Sequence, residues 1–459
     1  MKSNKEYMES IMRKHELRLE EKNKKVRATR RLVLVVAPIV LCLAVVGTMA
    51  LTNIFGPGKN NSGVVYAKDL MSGIVSKKIA AIDGMYPDEK FMESYMNFAL
   101  ESFKGVVNEK GERESLMMSP LSAYLALAMT ANGAEGETKT SMENVLGMDI
   151  DNLNKYLLSY ADMLTGSSDE STKFNIANSI WLRDDENLII KEDFLQTNAD
   201  YYGAQAYQTA FDDKTVEDIN NWVDINTYGM IKKIIDDIKE NEMMFLINAI
   251  AFDGEWVVPY EEYQVNSGVF TNSSGAAEMV EYMSGQQTTY MLDENAIGFM
   301  KHYKNGYGFV AILPNEGVSV EEYVDGLTTE KWFRFIKNKA YAEVNTKLPK
   351  FKNETTIPLT DILKQMGMSE AFNRENADFS NMGTFAGENL YISGVLQQTY
   401  ISVDEMGTQA GAVTSVTMAA NASKQQETVN IFLNRPFVYA IIDMSTDMPI
   451  FIGTVNTIE

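Results

Sequence analysis

Cysteine and histidine are almost missing from this chain: one Cys, Cys42, and two His, His15 and His302, in 459 residues. A single Cys excludes an intramolecular disulfide framework. So few thiols and imidazoles exclude a zinc site built on them, and no metal or other cofactor is expected. His15 lies ahead of a long apolar run, so a serine hydrolase would have to rest on His302 in "GFMKHYKNGYGF". That His reads as a lone exposed residue near a strand end. Positive charge is also short: 41 Lys+Arg against 63 Asp+Glu give a net −22. Residues 1–31 hold eleven Lys/Arg and five Glu, a local +6, which leaves −28 for the rest. An acidic surface repels phosphate backbones, so nucleic acid is not an expected partner, and solubility accounts for the charge. Internal repeats, a Gly-rich phosphate loop and low-complexity tracts are absent from the sequence.

Charge vanishes altogether in residues 32–51, "LVLVVAPIVLCLAVVGTMAL". About 20 apolar residues span a hydrocarbon core. The run starts after 31 residues and has no clear A-x-A site behind it, which favours an uncleaved signal anchor over a cleaved signal. Lys22, Lys24, Lys25, Arg27, Arg30 and Arg31 precede it, so residues 1–31 are expected in the cytoplasm and the large domain outside. The organisation predicted is a basic segment 1–31, an anchor 32–52, a turn-rich tether 53–63 and a domain 64–459. Secretion after signal cleavage is the alternative. Cys42 reads as a small buried thiol within the span, and Val40-Leu41 before it argue against a lipoprotein signal.

Hydrophobic spacing predicts helices over 87–107, 119–134, 138–147, 191–204 and 216–235. Ser119 fits a helix cap, Pro120 a first helical position and Gly147 a helix stop. Strands are predicted at 173–185 and in "GYGFVAILP", "AYAEVNTKLPKF", "NIFLNRPFVYAIID" and "MPIFIGTVN". The run "MMFLINAIAFDGEW", 243–256, reads as a strand buried on both faces in the middle of a sheet. Helices dominate the first half and strands the second, an α+β pattern.

The segment "DEMGTQAGAVTSVTMAANASKQQET", 404–428, lacks bulk as well as charge. From Thr408 to Ala422 it has no charged residue, no Pro and no aromatic. As a strand it would show Thr408, Ala410, Ala412, Thr414 and Val416 on one face and Gln409, Gly411, Val413 and Ser415 on the other. Such a segment is soluble when exposed and carries nothing that forbids burial: no charge to desolvate and no Pro to remove a strand hydrogen bond.

Eight runs, in order, resemble the serpin family: "SLMMSPLSAYLALAMTANGAEGETKTSM", "ANSIWLR", "INNWVDINTYGMIKKII", "LINAIAFDGEW", "LPKF", "MGMSEAFNRENADFS", "LYISGVLQQTYISVDEMGTQAGA" and "NRPFVYAI". The resemblance covers roughly residues 64–459 and looks like a bacterial serpin on a membrane anchor. It implies an α+β domain of about nine helices and three β-sheets, with an exposed reactive-centre loop near the C-terminus. It also implies a monomeric suicide inhibitor rather than an enzyme. The target serine protease cleaves the loop, is held as an acyl-enzyme in a covalent complex, and is carried away as the freed arm inserts into the large sheet. A non-inhibitory surface binding or decoy protein is the alternative.

The resemblance assigns roles residue by residue. Glu405, Gly407, Thr408, Gln409, Ala410, Gly411, Ala412, Val413 and Thr414 form the loop hinge. Trp256 marks the breach, where the loop first enters the sheet. Ser119, Ser122 and Asn248 belong to the shutter beneath the central strands, with Gln397 where the family usually has His. With Glu405 counted as the first residue, the seventeenth is Asn421, which makes Asn421–Ala422 the expected reactive bond. Met418, Ala419, Ala420 and Lys424 are alternatives. The small apolar residues there suit elastase-like or subtilisin-like proteases.

Overall fold

The computed structural model describes residues 65–77, 85–111, 113–166, 171–239, 242–385, 388–408 and 428–458. Six of its nine α-helices among the described residues begin where a short polar side chain takes an amide that the first turn leaves unpaired. Asp88 accepts from Phe91 N ahead of α1 (Glu89–Lys110). Ser119 accepts from Ser122 N ahead of α2 (Pro120–Ala131), with Pro120 in the first turn as its sequence predicts. Gly147, at φ +73°, ends α3 (Gly136–Leu146). Asp149 caps α4 (Ile150–Thr165), a helix that the periodicity reading does not include. Then come α5 (Glu192–Tyr202) and α6 (Asp213–Asn226), and α7 (Val320–Asp325), α8 (Thr329–Lys337) and α9 (Thr360–Leu363) complete the nine α-helices among the described residues.

The helix predicted over 216–235 stops early, at Asn226. Tyr228 and Gly229 take positive φ, +54° and +80°, and the chain leaves the helical path. Asn220 then replaces the helical ladder with its side chain: its amide oxygen accepts from Ile234 N and Ile235 N at 2.8 and 3.2 Å, and its Nδ2 donates to Ile235 O at 3.0 Å. Ile231, Ile234 and Ile235 still bury, as their spacing demands, but in a cluster with Trp181, Trp222 and Phe245.

The strands in chain order are β1 (Lys68–Asp69), β2 (Leu116–Met118), β3 (Thr172–Arg183), β4 (Leu188–Ile190), β5 (Gln205–Thr209), β6 (Met244–Glu255), β7 (Val265–Thr271), β8 (Ala277–Leu292) and β9 (Ala296–His302). They continue with β10 (Tyr307–Pro314), β11 (Lys339–Pro349), β12 (Phe351–Pro358), β13 (Gly383–Phe385), β14 (Gly394–Val403), β15 (Gly407–Thr408), β16 (Thr428–Phe432), β17 (Phe437–Asp443) and β18 (Met448–Val455). Three sheets result. The large one has the order β1-β5-β3-β6-β15-β14-β12; a nine-stranded one runs β16-β11-β8-β9-β10-β17-β18-β2 with β7 on β8; β13 pairs with β4. The α+β class and the three sheets agree with the sequence reading.

β6 is the axis of the large sheet. Every residue from Met244 to Phe252 is buried, as a run that is apolar but for Asn248 requires of a central strand. Behind it lies α2, buried along its whole length and packed on β6 and β18. In front, α6 and the segment after it pack on Trp181, Ile247 and Ala249. Residues Val64–Glu459 form one compact unit, which holds all the described residues. Residues 1–63, including the expected anchor 32–52, lie outside the described residues; among the described residues no helix is long and apolar enough to cross a membrane.

Candidate functional site: a parted seam in the large sheet

β6 and β14 are parallel neighbours over only half their length. Their pairing runs from Phe245↔Gly394 to Ala249↔Gln398 and stops there. Beyond it, no pairing among the described residues joins Ile250–Asp253 to Thr399–Ser402. At the top of this gap sits β15. Gly407 pairs with Glu255, and Thr408 pairs with Gly254 on one side and Val403 on the other, both antiparallel. Two residues of the expected hinge therefore already stand as strand between β6 and β14.

The hinge is held there by a set of directed bonds. Asp404 turns the chain: its carboxylate accepts from Met406 N at 2.8 Å and Gly407 N at 3.2 Å. Gly407 is required by close approach, because a Cβ there would lie 2.0 Å from Gly254 O. Trp256 donates its indole N–H to Asp404 O and its backbone N–H to Met406 O, both at 2.9 Å. Tyr260 N donates to Glu405 O at 2.9 Å. Tyr303 stacks on Trp256 with ring centroids 4.1 Å apart, and its hydroxyl shares a 2.5 Å hydrogen bond with Thr408 Oγ1. Lys350 donates to Glu405 at 2.7 Å and to Glu281 at 3.1 Å. Burial is the largest single influence on the Glu405 carboxyl and would raise it, but the Lys350 hydrogen bond and charge together with a backbone hydrogen bond hold the group below its ordinary 4.5. Asp404 moves the other way: burial raises it above 3.8, and its two backbone hydrogen bonds offset part of that.

The paired half of the seam carries a polar row. Asn178 on β3, Asn248 on β6 and Gln397 on β14 stand in register. Gln397 grips the cap of α2 at two points: Ser119 N donates to its Oε1 and its Nε2 donates to Ser119 O, each at 2.8 Å. Ser119 Oγ donates to Ile450 O at 2.7 Å. Asn248 Nδ2 donates to Asn178 Oδ1. Two buried atoms in the row, Ser122 Oγ and Asn248 Oδ1, have no hydrogen-bond partner. An orphaned buried polar group costs about 1–3 kcal/mol. Ser115 ties down the last residues of the chain: its hydroxyl donates to Thr457 O and accepts from Asn456 N.

The structure thus gathers Glu405, Gly407, Thr408 and Trp256 at the top of the seam and Ser119, Ser122, Asn248 and Gln397 lower down. Gln409, Ala410, Gly411, Ala412, Val413 and Thr414, and the reactive-bond candidates Met418, Ala419, Ala420, Asn421, Ala422 and Lys424, lie outside the described residues. His302 is hydrogen-bonded to no hydroxyl or carboxylate among the described residues, and burial and the charges of Lys339 and Lys301 lower its pKa from 6.5. Among the described residues it heads no catalytic triad. Sequence reasoning passed over Tyr260, Tyr303, Lys350 and Asp404. Asp404 alone left a signal, an acid three residues before a Gly; the others come from distant parts of the chain.

This geometry matches a known family. The family model described as serpin, serine protease inhibitor, matches residues 93–458. The chain belongs to the serpin family. An uncharacterised serpin-like protein of Thermococcus kodakarensis is 28% identical over 402 residues, 86% of this chain and 92% of that one. Serpin-Z1A of Triticum aestivum is 26% identical, over 76% of this chain and 91% of its own length. Among solved structures, the thermophilic serpin Tengpin in its native state has a TM-score of 0.80 at 47% identity, covering 85% of this chain and all of that chain. Tengpin in its latent state gives 0.71 at 48% identity, covering 81% of this chain and 99% of that chain. Serpins are generally protease inhibitors rather than enzymes.

Proposed function

We propose that this protein is a suicide-type inhibitor of serine proteases, and that residues 408–418 are the strand that fills the parted seam. The observation that carries this reading is the agreement of two registers. Gly407 stands against Glu255 and Thr408 against Gly254, so each step along the loop is one step down β6. Continued, that count sets Thr414 against Asn248. Counted from Val403↔Thr408 along β14, Thr414 falls against Gln397. Asn248 and Gln397 are themselves partners across the seam. A strand inserted in this register meets both neighbours without a slip.

The same count gives the arm its chemistry. Thr414 shares the face of Thr408, whose side chain is buried against Tyr303. Its hydroxyl is of the kind that Ser122 Oγ and Asn248 Oδ1 lack as a partner. Met418 would stand against Met244, the first residue of β6. Ala419–Asn421 then project below the sheet, where an acylated protease is carried clear of it. The serine of the protease attacks the carbonyl of Asn421, the amine of Ala422 leaves, and the ester that remains is stranded. Small residues around the bond favour elastase-like or subtilisin-like targets. The apolar run 32–51 with its basic flank supports display at the cell membrane with the domain outside; secretion after cleavage is the alternative.

The test is to mix the full-length chain with elastase-like and subtilisin-like proteases. An SDS-stable complex is expected, with a released fragment whose N-terminus is Ala422. Proteases that cut the loop and remain active would replace the inhibitor reading with a non-inhibitory one. Protease fractionating with intact cells rather than medium tests the anchor.

A further inference from the structure

Beneath the turn that holds the hinge lies a cation that no described carboxylate pairs. Lys301, on β9, is only 7% exposed. Its ammonium donates to Val258 O at 2.8 Å, and lies 3.9 Å from the Tyr260 ring centroid and 5.3 Å from that of Trp256. Those residues form the turn 256–260. The same turn supplies three of the donors that fix the hinge: Trp256 Nε1, Trp256 N and Tyr260 N. Lys301 thus ties this turn down to β9 through its side chain, beside the backbone bond from Val257 N to His302 O at 2.9 Å.

We propose that Lys301 is a positioning residue for loop insertion: it seats the turn 256–260, and the hinge is freed when that turn lifts and the ammonium reaches water. The proposal rests on the inhibitor reading for its purpose, but its geometry stands apart from it. Burial is the sole cause that lowers Lys301, from 10.5 to about 7. The neighbouring charged and titratable groups are His302 on the same strand, Tyr260 on the turn, Tyr303 after β9, and Lys339 at the start of β11. Asp404 and Glu405 belong to the hinge, with Glu405 paired to Lys350, and Lys304 pairs with Glu255.

The sign follows from linkage. In the seated turn Lys301 releases its proton near pH 7; lifted into water it would hold it to about 10.4. Lifting therefore takes up a proton above pH 7, so the turn tightens as pH rises, by at most about tenfold per pH unit. Below pH 7 both states are charged and the dependence levels off.

Hydrogen exchange on the full-length chain tests this, corrected for intrinsic rates, with β17 amides as the internal reference for an intact fold. In the native sequence, protection of the Trp256 and Tyr260 amides should be flat below pH 7 and rise about tenfold or more from pH 7 to 8.5. Lys301→Met, which cannot bond Val258 O, should remove the pH dependence and lower the protection of both amides. Lys301→Arg, charged throughout, should remove it with the turn open. A native profile that is flat, or a slope that survives in Lys301→Met, overturns the proposal. Exchange needs no protease, so failure to trap one would count against the inhibitor reading alone.

Discussion

One pair of strands, β6 and β14, behaves in two ways within a single seam. Its lower half is zipped and bolted to α2 through Gln397. Its upper half is parted, with two hinge residues lodged at the top. The difference is not one of burial, since β6 is buried without a break from Met244 to Phe252, through the paired half and into the parted one. It lies in what stands behind each half. Below, the Gln397 amide satisfies both backbone groups of Ser119. Above, the hydrogen bonds of Trp256, Tyr260 and Tyr303 go to the hinge rather than across the seam. On the proposed reading, the end that is wedged rather than zipped is where a strand would enter.

The comparison breaks most completely if the incoming strand cannot be buried. Thr414→Glu would bring an unpaired carboxylate against Asn248 and Gln397, a penalty of several kcal/mol or more, roughly. The variant should be cut by the same protease but form no SDS-stable complex, and its melting temperature should hardly rise on cleavage. A normal yield of complex would refute the register.

The zipped half is weakened next. Gln397→Leu strips the partner from Ser119 N and leaves Ser119 O with Ala123 N alone; one orphaned buried group costs about 1–3 kcal/mol. Urea unfolding should show a loss of about 1–3 kcal/mol. A synthetic peptide of residues 408–418 should also anneal to the chain faster than to the native sequence. Unchanged annealing would mean that the bolt does not hold the seam.

The smallest effect is expected at the hinge ion pair. Glu405→Gln removes the Lys350 partner at a partly exposed site, which is worth about 0.5 kcal/mol after solvent screening. Glu405 is depressed, so its contribution is present above 4.5 and is lost as pH falls through its lower folded value. Acid should therefore loosen the native hinge, read as exchange of the Met406 and Gly407 amides. Glu405→Gln should lose that component; an identical acid response in both would place it elsewhere.

Much of the scaffold was legible in the chain. The cap and first-turn proline of α2, the glycine stop of α3 and the buried axis of β6 follow from local chemistry and periodicity. The ordered motifs then pointed to the family, and through it to Trp256, Ser119, Ser122, Asn248 and Gln397. The end of α6 was misread because Ile231, Ile234 and Ile235 keep apolar spacing past the helix, while Asn220, from within it, takes over their amides. The contacts of Tyr303 and Lys350 with the hinge, and of Lys301 with the turn beneath it, were not legible, because they join segments 43 to 105 residues apart.

By itself the sequence determined what the loop is made of: small, uncharged residues without Pro, able to live in water or in a sheet. That is a local property, fixed by side-chain volume and charge. Only the tertiary structure decided where such a strand could go. The gap, its register and the orphaned Ser122 and Asn248 atoms exist because β6, β14 and α2 come together from distant parts of the chain, and hydrogen bonds act only between groups that folding has brought into reach.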